Sequence, residues 1–181
     1  MKNWQTTGEK PIYDNKWIKV TEYDVINPNG GKGIYGKVHF KNTAIGIVAI
    51  DEKKNIFIVG QQRYTTNSYS WEIPEGGGPI GTDILESAKR ELLEETGLKA
   101  SNWTKILGMH LSNSVSDEWG VVFLATGLSQ HESMPEETED LVVKSILFDE
   151  AYEMVEKGLI TDSMSVAAIY KVKLMQLQGA I

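Results

Sequence analysis

The chain has 181 residues, a length that fits one domain able to bury roughly 70% of its unfolded surface. Its 41% hydrophobic and 24% charged residues exclude a predominantly disordered chain, and the absence of cysteine excludes disulfides, thiolate metal sites and cysteine nucleophiles. A formal charge of −7 opposes polyphosphate backbones and anionic lipid, so nucleic acid and membrane surfaces are not expected partners.

Residues 1–10 (MKNWQTTGEK) lack the apolar stretch of a secretory signal, and the longest apolar run, Ile45–Ile50, is far shorter than a membrane span. A cytoplasmic protein is expected. Residues 16–26 (KWIKVTEYDVI) are rich in β-branched and aromatic residues and read as a strand. Asn27–Gly31 (NPNGG) is a turn signal, and Ile34–Phe40 reads as the returning strand of an antiparallel hairpin. Residues 1–40 form either a small appended sheet or the first strands of the main domain.

Ile45–Ile50 reads as a strand covered on both faces, and Ile56–Gly60 as a second buried strand after the polar turn Asp51–Asn55. Tyr64–Ser70 is turn-like, Trp71–Ile73 is short and extended, and Glu75–Gly81 (EGGGPIG) reads as a glycine-rich loop. A helix is predicted over Asp83–Thr96, with the Thr82 hydroxyl as cap, Asp83 at the positive end of the dipole and Gly97 as terminator. Strands follow at Trp103–His110, Gly120–Ala125 and Leu141–Phe148, and helices at Glu150–Lys157 and Ser163–Leu177. This mixture predicts an α/β (α+β) fold with helices on the faces of a sheet.

Glu91, Glu94 and Glu95 stand at helical offsets of zero, three and four and share one face, beside an apolar stripe of Ile84, Ala88 and Leu92. Like charges at these spacings repel. Arg90 is spaced to pair with Glu86 and Glu94, which leaves Glu91 and Glu95 for another partner. One outcome is a solvated acidic face; the other is a hard divalent cation such as Mg²⁺, which takes carboxylate and phosphate oxygens. Gly76–Gly78 just ahead of this helix allow close backbone approach to a ligand.

Gly76 followed, at the right distance, by Arg90-Glu91-Leu92-Leu93-Glu94-Glu95-Thr96-Gly97-Leu98 resembles the box that defines Nudix hydrolases. One position departs: Thr82 stands where the box carries a glutamate. Gln61–Tyr64, Trp71–Pro74 and Ser112–Glu118 further resemble the ADP-ribose and nucleotide-sugar pyrophosphatase branch, and the similarity covers roughly residues 10–175. The resemblance implies an α/β/α sandwich around a mixed sheet over residues 41–181. It also implies an amino-terminal β region over 1–40, as a small antiparallel sheet in the interface of a homodimer. The implied activity is hydrolysis of a nucleoside diphosphate linked to a sugar, such as ADP-ribose, with Mg²⁺ or Mn²⁺. The implied metal ligands are Glu91, Glu95, Glu94 and the backbone carbonyl of Glu75. Arg90 corresponds to the residue that orients the glutamates, Glu118 to a base or extra ligand on a mobile loop, and Arg63 to a phosphate contact. Trp17 and Tyr35 correspond to aromatics that sandwich the base.

These residue types suit the chemistry. Metal ions neutralise a pyrophosphate and acidify the attacking water, a glutamate accepts its proton, and an arginine supplies two parallel donors to phosphate. Ser112, Ser114 and Ser116 make the Glu118 segment polar and compatible with a moving lid. A non-catalytic sensor of a nucleotide sugar on the same fold is the alternative, disfavoured by the intact glutamates. His39, His110 and His131 lack metal-ligand spacing. Glu136–Asp140 reads as a solvated acidic loop, and Asp162 as a cap of the last helix or a nearby turn residue.

Overall fold

The computed structural model describes residues 2–131 and 141–181. The acidic stretch Glu136–Asp140 lies outside them. The first three strands, β1 (Gln5–Asp14), β2 (Ile18–Ile26) and β3 (Lys32–Phe40), form an antiparallel sheet of their own. The hairpin of β2 and β3 is as expected from the NPNGG turn. Strand β1 was not expected. Its sequence, QTTGEKPIYD, is polar and almost wholly exposed, and Pro11 sits where an edge strand tolerates a missing donor.

The central sheet is mixed. It has the order β7-β4-β9-β8, from β4 (Asn42–Ala49), β7 (Glu75–Pro79), β8 (Leu98–His110) and β9 (Trp119–Gln130). Strands β4 and β9 run parallel; the other two pairings are antiparallel. A further sheet joins β10 (Val142–Leu147), β5 (Asn55–Arg63) and β6 (Ser68–Glu72). The helices are α1 (Ile84–Thr96), α2 (Phe148–Glu156) and α3 (Ser163–Leu177).

Alternation along β4 and β9 explains the sandwich. Ile45, Ile47, Ala49, Val121, Phe123 and Ala125 pack with Ala88 and Leu92 of α1. Their neighbours Val48, Ile50, Val122 and Leu124 pack on the opposite face, with Phe148 and Ala151 of α2 and Ala168 and Ile169 of α3. Covered from both sides, β4 has no polar face to show, which is why its sequence is a continuous apolar run.

Several expectations change in detail: Ser68–Ser70, expected to be turn-like, belong to β6, and β8 begins at Leu98 rather than Trp103. The glycine-rich segment is a strand, paired with β4 from Asn42↔Pro79 to Gly46↔Glu75. The cap of α1 is Asp83, whose Oδ1 accepts the Leu85 N–H at 2.9 Å, while the Thr82 hydroxyl donates to the Pro79 carbonyl at 2.7 Å. A carboxylate at the positive end of the dipole is a better acceptor there than a hydroxyl one residue earlier. Gly97 closes the helix at φ 70°, with its N–H on the Leu93 carbonyl at 2.9 Å.

Candidate active site

Strand β7 crosses the carboxylate face of α1, and its backbone is the contact. The Gly77 N–H donates to Glu91 Oε1 at 3.1 Å, and the Glu75 N–H donates to Glu95 Oε2 at 3.0 Å. Glu91 is 8% exposed and Glu95 is 4% exposed, so both lie beneath the strand rather than in solvent. Gly76 sits directly over the Glu91 carboxylate: a Cβ there would stand 2.1 Å from its Cδ. Glycine is required at this position for space.

Arg90 reaches Glu91 Oε1 at 2.6 Å, the Gly77 carbonyl at 3.2 Å, and Glu94. It therefore braces Glu91, Glu94 and β7 together. The expected pairing with Glu86 does not form, because Lys89 takes that carboxylate at 2.7 Å from one turn away. Burial pushes the Glu91 carboxyl above its ordinary pKa, and the Glu94 charge adds to this against the opposing pull of Arg90 and the Gly77 N–H.

Over β7 lies a cavity of about 500 Å³, lined by Arg63, Glu75, Gly76, Gly77, Glu118 and Asp162 among others. Arg63 donates from Nε to Glu72 Oε1 at 2.9 Å and from Nη2 to Glu72 Oε2. Glu72 is 3% exposed, so a buried carboxylate is paired with a partly exposed arginine at the cavity wall. The Glu75 side chain turns toward α3, where it accepts the Ser165 hydroxyl at 2.9 Å. Burial, the Asp162 carboxylate beside it and the Glu72 charge push Glu75 well above the usual carboxylate range. Burial and Asp162 also raise Glu118. Asp162 caps α3 as expected, accepting the Ser165 N–H at 2.8 Å, and it lines the cavity as well.

The segment carrying Glu118 is fastened to β3. Asp117 Oδ2 meets His39 Nδ1 at 2.7 Å and Lys37 Nζ at 2.8 Å, and its Oδ1 accepts the Phe40 N–H at 3.0 Å. Against the opposing effect of burial, Lys37, His39 and the Phe40 N–H hold the Asp117 carboxyl down at about 2. The partnership of His39 and Asp117 spans 78 positions and has no local signal in the sequence.

Tyr35 lines a second cavity of about 520 Å³, with Trp4, Tyr23 and Lys37, and meets Trp4 edge to face at 5.5 Å between ring centroids. Trp17 is 55% exposed, lines neither cavity, and carries the Lys16 ammonium 4.1 Å from its ring centroid.

Among the described residues, no three His, Asp or Glu side chains converge in metal-binding geometry. Glu94 is turned onto Arg90, and Glu91 and Glu95 onto the β7 backbone. The donor set is nevertheless that of a hard cation. Every candidate ligand is an oxygen, and the raised carboxyls of Glu91, Glu75 and Glu118 mark negative charge that burial leaves poorly compensated.

A glycine strand over the buried glutamates of a single helix, beside an acidic cavity, is the arrangement of a known family. The NUDIX domain matches residues 40–161, and the nucleoside diphosphate sugar hydrolase N-terminal domain matches residues 4–38. The chain belongs to the NUDIX family and is a pyrophosphohydrolase of that family. It is 34% identical over 175 residues to an ADP-ribose pyrophosphatase of Mycobacterium tuberculosis, covering 94% of this chain and 83% of the relative. An ADP-ribose pyrophosphatase of Bacillus subtilis is 31% identical over 179 residues, covering 98% of this chain and 95% of the relative. A crystal structure of an ADP compounds hydrolase superposes with a TM-score of 0.88 at 20% identity, covering 100% of this chain and 98% of that one, and so shares the fold.

Proposed function

We propose that the protein hydrolyses the pyrophosphate of a nucleoside diphosphate linked to a sugar, ADP-ribose or a related nucleotide sugar, giving a nucleoside monophosphate and a sugar phosphate. The observation that carries this is the pair Glu91 and Glu95, held by β7 backbone donors beneath a cavity whose wall carries Arg63, Glu75, Glu118 and Asp162. The relatives named ADP-ribose pyrophosphatase support the choice of substrate class.

Glu91, Glu95, Glu94 and the Glu75 carbonyl would hold Mg²⁺ or Mn²⁺. Such a cation neutralises the diphosphate oxygens and acidifies the attacking water. The water oxygen bonds to one phosphorus as the bridging P–O bond breaks, and the bridging oxygen leaves on the other phosphate. Glu118 accepts the proton, which suits a carboxyl whose proton affinity burial and Asp162 have raised. Arg63 offers phosphate the donors outside its pairing with Glu72, and Arg90 keeps Glu91 and Glu94 in place. Tyr35 stacks on the base from the wall of the aromatic cavity, and Trp17, outside both cavities, is assigned to the base by the family resemblance.

Residues 1–40 act as a β region in the interface of a homodimer, and residues 41–181 as the hydrolase domain. The exposed Trp4, Ile12, Tyr13, Trp17 and Ile34 of the first sheet support this division. No helix among the described residues is long and apolar enough to cross a membrane, and a cytoplasmic enzyme free of cysteine is consistent with that.

The test is turnover of ADP-ribose and a panel of nucleotide sugars with Mg²⁺, with products identified by mass spectrometry. Glu95→Gln should lower kcat by about 10²-fold or more while the protein stays folded, as loss of a group central to the site does. Parental turnover by this variant on every diphosphate tested would reject the assignment.

A further inference from the structure

The segment Ser112–Glu118 bridges the two cavities. Asn113–Ser116 line the aromatic one, and Glu118 lines the acidic one. Although its composition suits a free loop, β3 holds it at successive residues. The Tyr35 hydroxyl donates to the Ser114 carbonyl at 2.6 Å, the Val38 N–H to the Val115 carbonyl at 2.8 Å, and the Asp117 N–H to the Val38 carbonyl at 3.2 Å. Val38 and Ser116 thereby form a parallel bridge. The Asp117 carboxylate completes the attachment through Phe40 N–H, Lys37 and His39.

Asp117 is bonded to β3, and the next residue, Glu118, lines the acidic cavity. Only one peptide unit, about 3.8 Å between Cα atoms, separates the fastened carboxylate from the one at the cavity. A charge-assisted bond from Lys37, a bond with the His39 ring nitrogen and a backbone donor give Asp117 three attachments to β3.

We propose that Asp117 is a positioning residue of the hydrolysis: by binding β3 through Phe40 N–H, Lys37 and His39, it fixes Glu118 at the acidic cavity. This rests on the assignment of Glu118 to the reaction. A carboxylate that must meet an attacking water tolerates little displacement, since a misplacement of about 1 Å costs on the order of 10²-fold in rate. Releasing Asp117 therefore lowers kcat and leaves the substrate's more distant contacts in place.

The experiment is a double-mutant cycle with ADP-ribose and Mg²⁺, with circular dichroism and Tm as folding controls. Glu118→Gln alone reads the assignment of Glu118. Asp117→Ala should lower kcat by about 30- to 100-fold with KM within about three-fold, the split expected when geometry rather than binding is lost. Asp117→Asn keeps an acceptor for the Phe40 N–H and should recover part of the loss. Adding Asp117→Ala to Glu118→Gln should cost nothing further, because both act through one carboxylate. Parental kcat in Asp117→Ala, or a loss that multiplies in the Glu118→Gln background, overturns the proposal. Parental kcat in Glu118→Gln overturns it too, and places the failure in the role of Glu118 rather than in the attachment. Should Asp117→Ala fail to fold, Asp117→Asn carries the same cycle, and an unchanged kcat in that variant is the overturning result.

Discussion

Gly76→Ala tests the packing of β7 on the carboxylate helix most directly. An added Cβ would lie 2.1 Å from Glu91 Cδ, 2.3 Å from Oε1 and 2.4 Å from Oε2. Ordinary contact begins at 3.4 Å, so the carboxyl carbon must retreat by 3.4 − 2.1, about 1.3 Å, or β7 must lift by the same amount. Either movement breaks the Gly77 N–H bond to Glu91 and loosens Arg90. Forcing extra volume into a filled site costs about 1–3 kcal/mol of stability, and a displacement beyond 1 Å at a reacting group costs on the order of 10²-fold in rate. Two other strand glycines, one beside Gly76 and one in β3, calibrate the result. At Gly77 the nearest atom is Asn42 Nδ2 at 3.2 Å, the end of a side chain that can yield, so Gly77→Ala should lose less than about ten-fold in rate. At Gly33 there is nothing within 4 Å, so Gly33→Ala should behave as the parent. Urea unfolding and steady-state hydrolysis of ADP-ribose with Mg²⁺ measure both effects. Parental kcat and parental stability in Gly76→Ala would show that Glu91 does not need the place it occupies, and would refute the reasoning.

Three further outcomes are expected. Arg63→Ala strands the Glu72 carboxylate, 3% exposed, without its cation, and should cost about 3 kcal/mol in urea unfolding, the low end for a broken buried pair because Arg63 itself is partly exposed; a loss below about 1 kcal/mol would contradict the pairing. Asp162→Asn keeps a good helix cap but removes a charge that raises Glu118. Because a base works deprotonated, the acidic limb of the kcat/KM profile should move to lower pH, and a limb that stays put or rises would count against Glu118 as the base. Trp17→Ala, at a residue 55% exposed, should leave Tm unchanged and raise the KM for ADP-ribose about five-fold or more, since a stacked base is worth about 1–3 kcal/mol; an unchanged KM removes Trp17 from the site.

The parts of the site legible in the sequence are those whose signal is local. The offsets of Glu91, Glu94 and Glu95, the apolar stripe beside them and the glycine that ends α1 all follow from helix geometry within a few residues. The both-faced burial of β4 was legible for the same reason: the run Ile45–Ile50 leaves no polar face. Strand β1 was not, because an exposed edge strand needs no apolar alternation and this one contains Gly8 and Pro11. The glycine-rich stretch gave the wrong structure, since glycine is uncommon in strands; here close approach to Glu91 outweighs β propensity. Arg90 has two carboxylates at helical spacing, and its partner follows from two contacts: Lys89 holds Glu86, and the Gly77 carbonyl of β7 meets Arg90 on the Glu91 side. The links between Arg63 and Glu72, Glu75 and Ser165, and His39 and Asp117 join different elements, and tertiary packing alone supplies them.

Those cross-element links make the electrostatic case for a cation more strongly than the box does. The cavity wall carries the carboxyls of Glu75, Glu118 and Asp162, and its arginine, Arg63, is already committed to Glu72. A diphosphate brought to this wall adds negative charge to a surface where Glu75 and Glu118 already resist ionisation. At about 4 Å, each unscreened pair of like charges opposes binding by about 4 kcal/mol at an effective dielectric near 20. Arg63 still has donors for phosphate, but the Glu72 carboxylate paired with it cancels most of its positive field at the wall. Protonating the wall would relieve the repulsion but would also fill the site meant to accept the proton of water. A divalent cation relieves it without that cost, which is why cation and substrate should bind with mutual enhancement and why acid should weaken the hold on the cation.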